Sequence, residues 1–267
     1  MVDVLSSTLR LYREAMRATG RSLIHGWIII IAMIAFAVAF WLAAGLARPL
    51  GIGGSFILGA VNALLIGSTL SLIEQAVKGV RQLTFRDILD SVGQYFWDVI
   101  GVGFVLWIPT MLLDTSLQSN PGSQVFVIAA LLLVFILLNP APEVIYQVRH
   151  DSPLDVLKSS YEFVLENWIE WFLPLGVVLM PLSFSLFVSL SSRLGRGAGL
   201  DFFQLLAFPF TVLSAWLTTL GIPSEVTSVA ALFLTPPLAV GMLLFRGHLF
   251  AALHHSTRRQ RAFSSRS

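Results

Sequence analysis

The chain has 267 residues, of which 56% are hydrophobic and only 12% charged, and its mean hydropathy is +0.80. Soluble globular domains carry about 25% charged residues, so this composition excludes an ordinary water-soluble fold. The net charge of +2 is too small, and the basic residues are too dispersed, for a nucleic-acid-binding face. The lack of cysteine excludes disulfides and thiolate chemistry. We therefore predict an all-α, polytopic transmembrane helical bundle that contacts the lipid bilayer.

Six apolar stretches predict the membrane spans, because a helix needs about 20 residues to cross the hydrocarbon. The first stretch, between Arg21 and Arg48, is uncharged and much longer than the apolar part of a signal peptide. The glycine-rich segment 51–54 predicts the turn of a helical hairpin, and Pro236 and Pro237 should kink or unwind the last span. The predicted spans are about 23–47, 56–77, 96–113, 124–138, 168–191 and 226–245, with a polar turn at 114–123.

The positive-inside rule places both ends of the chain in the cytoplasm. With six spans, the outer loops keep only Arg48, Arg193 and Arg196 of the 17 basic residues. Segment 202–222 is also apolar, but a seventh span there would move the C-terminal arginines outside. We therefore predict an interfacial or re-entrant helix at 202–222. The chain then consists of a membrane domain, 1–253, and a basic cytoplasmic tail, 254–267.

A short pattern of Asp, branched aliphatic residue, Leu, any residue and Ser occurs three times, beginning at Asp3, Asp87 and Asp155. Each copy starts an amphipathic helical pattern, and an acidic residue in the first turn caps a helix and complements its dipole. Tyr12 lies on the apolar stripe of the first copy and Leu89 on that of the second. A helix with one apolar stripe and one charged face lies in the headgroup plane. We predict three repeats of a membrane-surface helix followed by two spans.

The segment Asn139-Pro-Ala-Pro-Glu143 ends a predicted span on an acidic residue, and the amphipathic segment from Asp155 to Tyr161 follows, with Trp168 entering the next span. This arrangement resembles a loose group of uncharacterised bacterial six-span membrane proteins. It also resembles the membrane domain attached to some glycerophosphodiester phosphodiesterases. The resemblance covers most of the chain and implies the bacterial cytoplasmic membrane. It includes no catalytic signature, and the soluble phosphodiesterase domain is absent, so it implies no enzymatic activity.

Glu74 is the most informative polar residue, since an acidic group near the end of a span is costly unless it meets water, a partner or a proton. On a helical wheel it lies with Gly59, Gly67 and Ser71, in a stripe of small residues that lets helices approach closely. We therefore expect Glu74 to face protein rather than lipid. It is either a proton or cation site, or a capped carboxylate paired with Arg81 at the cytoplasmic interface.

Glu143 follows Pro140 and Pro142, where unwound backbone would leave carbonyl oxygens free beside a carboxylate. That combination occurs at transporter ion sites, and the alternative is a plain helix-ending turn. Asn62 lies deep in the second predicted span, where it either belongs to the same ion path or joins helices by a hydrogen bond. The five histidines show no metal-ligand spacing, and no hydrolase or phosphate-binding motif is present, so we predict no metal and no cofactor.

Two functional hypotheses remain. The leading one is a non-enzymatic membrane scaffold or accessory component whose amphipathic helices contact lipid headgroups or a cytoplasmic or membrane protein partner. The alternative is a transporter or channel for a small solute or lipid, which requires a continuous polar path past Glu74 and Glu143. An intramembrane enzyme would need polar groups from several helices around one cavity, and the sequence supplies no such cluster.

Overall fold

The computed structural model describes residues 2–79, 82–119, 124–148, 150–179, 212–213, 215–217 and 220–254. Within these ranges the regular secondary structure is helical and contains no strand, which confirms the all-α prediction. The helices are α1 (Val2–His25), α2 (Ile28–Ala47), α3 (Gly51–Lys78), α4 (Phe85–Ser91), α5 (Phe96–Ser119), α6 (Gln124–Leu137), α7 (Ala141–Gln147), α8 (Pro153–Leu179) and α9 (Ser224–His254).

Helices α2 and α3 form an antiparallel hairpin. The chain reverses through the 3-10 turn Arg48–Leu50 and through Gly51, whose φ of +56° favours a residue without a side chain. At this end the helices approach so closely that a Cβ atom on Gly54 would lie 2.0 Å from the carbonyl oxygen of Ala47. The hairpin is present as predicted, but its turn comes earlier than segment 51–54, which forms the first turn of α3.

Two described segments, Ile28–Lys78 and Phe233–His254, are long and apolar enough to cross a membrane. The first contains both arms of the hairpin. A third span results if Phe85–Ser91 and Phe96–Pro109, which meet at an angle of 50°, are counted together. The shorter segment Leu132–Gln147 is also apolar. The chain is therefore an all-helical protein with apolar segments of spanning length, and the full count of six spans stays a prediction.

Several predicted boundaries differ from those observed. A turn at Gly26 separates α1 from α2, so the first apolar helix begins at Ile28 rather than at residue 23. Helix α5 continues to Ser119 through most of the segment predicted as a turn. The fifth predicted span falls in α8, which breaks at Asn167, where φ is −126° and ψ is 19°. Residues 180–191 and most of segment 202–222 lie outside the described residues.

Helix α9 stays helical through Pro236 and Pro237, so the predicted unwinding is absent, and the alternative of a kink stays a prediction. In apolar helices, local adjustments and neighbouring groups can satisfy the backbone groups that a proline frees. His254 ends α9, where its ring stacks on Phe250 with centroids 5.4 Å apart, instead of starting the tail. Residues 255–267 lie outside the described part of the chain.

Side-chain caps fix the predicted starts of two amphipathic helices. Thr84 and Asp87 form a capping box at α4, in which the Thr84 backbone N–H donates to Asp87 Oδ2 at 2.7 Å. At α8 the Ser152 hydroxyl donates to Asp155 Oδ2 at 2.8 Å. Asp87 belongs to the charged side of the amphipathic sequence pattern. In the structure it is a capping residue and is only 2% exposed. Asp3 lies in the first turn of α1, and its side chain is outside the description.

Helix α1 packs against α9 and is part of the bundle. Leu9 and Met16 are exposed, as expected for a stripe that faces lipid. Tyr12 belongs to the same predicted stripe but turns into the core, where its hydroxyl donates to the backbone oxygen of Glu170 at 2.7 Å. Burial, with a smaller contribution from the charge of Glu170, raises the pKa of Tyr12 to about 12, so the hydroxyl keeps the proton that it donates.

Small residues let α3 approach the turn between α4 and α5. A Cβ atom on Gly67 would lie 2.9 Å from the carbonyl carbon of Tyr95 and 3.1 Å from the backbone nitrogen of Phe96. Ser71, one turn later, is fully buried. By contrast, a Cβ atom on Gly59 would meet nothing within 4 Å. The predicted small-residue stripe is therefore a close contact at Gly67 and Ser71 but not at Gly59.

Gly67→Ala should destabilise the bundle by about 1–3 kcal/mol, because the added methyl group must push the Tyr95–Phe96 backbone away. Gly59→Ala is the matched control on the same helix, and it should leave the melting temperature unchanged or raise it, since alanine is the better helix former. Thermal unfolding of the purified full chain in detergent measures both. Equal melting temperatures for the two variants would show that α3 does not pack as described.

Candidate functional site

Glu143 lies in the first turn of α7, directly after a break in the apolar helical stretch. Leu138 to Pro140 form a turn, and prolines at positions 140 and 142 fix the start of the new helix. The break frees the carbonyl oxygen of Asn139 from helical bonding and turns it towards the bundle. The Glu143 side chain is only 1% exposed, so its charge needs a partner within the protein.

That partner is Arg246 of α9. Its Nε donates to Glu143 Oε1 at 2.7 Å and its Nη2 donates to Glu143 Oε2 at 2.9 Å, which is the two-pronged geometry in which guanidinium and carboxylate bind best. Nη2 also donates to the Asn139 carbonyl oxygen at 2.7 Å. The carbonyl oxygen beside a carboxylate that the sequence predicts at Glu143 is thus present, and both groups bind the chain's own Arg246.

An aromatic cluster surrounds this pair and connects it to α8. The Trp171 indole N–H donates to the Asn139 side-chain oxygen at 2.9 Å. The Arg246 guanidinium carbon lies 5.2 Å from the centroid of the Trp171 ring, a cation–π arrangement. Phe250 packs against both Trp171 and Phe163, with ring centroids 6.3 and 4.4 Å away, and these two rings also contact each other. Carboxylate, guanidinium and aromatic rings thus join α7, α8 and α9 into one unit, which we call the Glu143–Arg246 clamp.

Arg246 was not singled out by the sequence patterns, where it counts only as one of the inner basic residues. A signal for it exists: no other Lys, Arg, Asp or Glu occurs between Glu225 and Arg258. A lone arginine inside an apolar helix requires a buried acidic partner or a route to the headgroups. Glu143, the acidic residue at a proline break in another apolar stretch, is the natural candidate.

Glu74 also has partners within the chain. The Tyr95 hydroxyl donates to Glu74 Oε2 at 2.6 Å, and Lys78, one turn further along α3, forms an ion pair with the same carboxylate. The Glu74 side chain is 17% exposed, which confirms that it faces protein. Its predicted partner Arg81 lies outside the described residues. Asn62 is half-buried in the same helix, about 18 Å along the axis from Glu74, so the two do not share a site.

A cavity of about 190 Å³ lies beside Glu74, between α3, α7 and α9. Tyr146, Gln147 and Ala251 complete much of its lining. The Gln147 side-chain amide donates to the Gly247 carbonyl oxygen at 2.9 Å. The Tyr146 hydroxyl is buried and has no hydrogen-bond partner among the described residues. The cavity therefore brings the Glu74 side chain close to Tyr146, whose hydroxyl is shielded from solvent.

Two other buried hydroxyls of α3, at Ser68 and Thr69, are satisfied by their own helix. The Ser68 hydroxyl donates to the Leu64 carbonyl oxygen at 2.7 Å, and the Thr69 hydroxyl donates to that of Leu65 at 2.8 Å. Hydroxyls bound back to their own helix offer little to a passing ion. Across the described ranges, no group of three or more His, Asp or Glu side chains is placed to hold a metal ion.

No family model, curated protein or solved structure matches the chain. The resemblance to bacterial six-span membrane proteins and to the phosphodiesterase-linked membrane domain therefore stays a prediction.

Arg246→Met should destabilise the bundle by about 3–5 kcal/mol, because it leaves the buried Glu143 carboxylate without its counterion. The double variant Glu143→Leu with Arg246→Met removes both charges and should recover much of that loss. The wild-type chain, the two single variants and the double variant form a double-mutant cycle, and thermal unfolding in detergent measures all four. Strictly additive effects would mean that the two side chains do not interact.

Proposed function

We propose that this chain is a non-enzymatic integral membrane scaffold or accessory component with six spans. The main support for the proposal is that both candidate carboxylates already bind other side chains of the same protein. Glu143 is bound by Arg246, and Glu74 by Lys78 and Tyr95, so their charges hold helices together. Arg246 is part of the chain, so it cannot leave the carboxylate and be replaced as a transported cation would be. The polar residues that suggest ion chemistry in the sequence thus support a structural role.

The proposed working surface is the set of amphipathic helices, and α4 shows its character best. On one side of α4, Phe85, Leu89 and Val92 are 59%, 75% and 47% exposed. Arg86 and Asp90, about 60° and 100° around the helix from Leu89, form an exposed ion pair. Large apolar side chains next to charges are typical of helices that lie in the headgroup region. We propose that α1, α4 and the first half of α8 rest on the cytoplasmic face of a bacterial inner membrane.

Replacing Leu89 and Val92 by Asp should lift α4 from the membrane, because each apolar side chain gains about 1.5–3 kcal/mol by leaving water. The chain contains no cysteine, so Phe85→Cys supplies a unique reporter on the same side of α4. In inside-out vesicles, a water-soluble maleimide should label this cysteine faster once both Asp residues are present.

Arg86→Ser in the same Phe85→Cys chain is the matched control, since it changes only the charged side of α4. It should leave the labelling rate unaltered. If the two Asp substitutions also leave the rate unaltered, α4 does not lie against the membrane.

One observation favours the alternative of a transporter or channel. The cavity beside Glu74 leaves this carboxylate partly accessible, and carboxylates inside membranes often belong to proton relays. Under this alternative, Glu74 would exchange its partners as a proton or cation passes.

A flux measurement separates the two functions. Proteoliposomes with a trapped pH-sensitive dye should dissipate a pH gradient no faster than protein-free liposomes if the chain is a scaffold. Faster dissipation that Glu74→Gln abolishes, and that the exposed control Glu162→Gln retains, would establish the transporter in place of the scaffold.

A further inference from the structure

A second, larger cavity of about 370 Å³ lies where α1 and α3 end and α2 begins. Its polar lining comes from Arg21, Ser22 and His25 of α1, Gln82 before α4, and His248 of α9. Among the described residues that line it, none is acidic. Its volume falls within the usual range of about 300–1,000 Å³ for small-molecule sites.

Hydrogen bonding fixes the orientation of both histidines. The Ser22 hydroxyl donates its single proton to the Ala76 carbonyl oxygen at 3.0 Å, so it must accept from His248 Nε2, which lies 2.9 Å away. His25 Nδ1 lies 2.8 Å from the Arg21 carbonyl oxygen and donates to it. The other ring nitrogen of each histidine, Nδ1 of His248 and Nε2 of His25, forms no hydrogen bond with a described residue.

Arg21 gives the cavity a permanent positive charge. Among the described carboxylates, none forms an ion pair with its guanidinium. Guanidinium binds phosphate through paired N–H donors, and an amide group adds a single donor. Arg21 and Gln82 therefore offer donors to an anion without a competing acidic side chain, and the free ring nitrogen of each neutral histidine can accept the proton of a monoprotonated phosphate.

The position of the cavity suggests where the anion comes from. His25 is followed by Trp27, which is 52% exposed, and preceded by Ile24, which is 74% exposed. Helix α2, the first apolar segment of spanning length, begins at Ile28. Exposed tryptophan at the end of an apolar helix is typical of the membrane–water interface. The cavity thus lies at the level of lipid headgroups if α2 crosses the membrane.

We propose that this cavity binds a phosphate group, and that the phosphate belongs to an anionic lipid headgroup. Arg21 and Gln82 donate to the phosphate oxygens, the free histidine nitrogens accept from a phosphate hydroxyl, and the acyl chains pass along Ile24 and Trp27. The inference rests on the proposed function because it requires α1 to lie at the membrane surface.

The test uses the full chain in an uncharged detergent with three probes: dioctanoyl phosphatidic acid, dioctanoylglycerol, which lacks the phosphate, and inorganic phosphate. Dissociation constants come from native mass spectrometry or thermal shift. Arg21→Gln removes the charge, and Ala18→Leu fills the cavity without changing any charge. Arg17→Gln is the matched control, because Arg17 is exposed one turn earlier on α1 and does not line the cavity.

Wild-type chain and Arg17→Gln should bind dioctanoyl phosphatidic acid equally, and Arg21→Gln and Ala18→Leu about tenfold more weakly. Dioctanoylglycerol should not bind. Inorganic phosphate that binds as tightly as the lipid, with the same dependence on Arg21, would retain the phosphate site and overturn its assignment to lipid.

Three results would overturn the site itself: no binding of either phosphate probe, equal losses in Arg17→Gln and Arg21→Gln, or unchanged binding in Ala18→Leu. Ala18→Leu decides alone if Arg21→Gln does not fold. The α4 labelling result is independent of this binding. Arg21-dependent binding together with a failed labelling test would contradict only the surface position of α4, and the reverse pattern only the phosphate site.

Discussion

An apolar surrounding supplies no water to a buried polar group, and the rest of the structure depends on this constraint. The Glu143–Arg246 clamp shows it most clearly, since a carboxylate that is 1% exposed receives two charge-assisted hydrogen bonds from one guanidinium. The Ser68 and Thr69 hydroxyls of α3 obey the same rule by bonding to their own helix. Polar side chains here replace missing solvent, and in doing so they specify which helices meet.

The same constraint separates the interior from the surfaces in the proposed account. Inside, the clamp fixes α7, α8 and α9, and Gly67 lets α3 approach the turn at Tyr95. At the ends of the helices, exposed apolar residues of α4 and the cavity at Arg21 remain available to other molecules. A scaffold needs this combination: a rigid centre whose charges are already paired, and a periphery suited to headgroups.

Local features could be predicted from the sequence, whereas distant pairings could not. The hairpin and the caps at Thr84 and Ser152 depend on residues within a few positions of each other. Arg246 lies 103 residues from Glu143, and no periodicity connects them. Tyr12 follows an amphipathic pattern yet faces the core, because the pattern specifies an apolar side of α1 but not which neighbour covers it. The span count also depends on segments outside the described residues.

The central claim is that lipid surrounds this bundle, with the hairpin turn outside and α4 inside. The most direct measurement introduces single cysteines into the cysteine-free chain at Ser55, exposed in α3 near the turn, and at Arg86, whose side chain is 88% exposed in α4. In intact cells, an impermeant maleimide should label Ser55→Cys at once and Arg86→Cys only after permeabilisation. Labelling of both positions in intact cells, or of Arg86→Cys alone, would contradict the account.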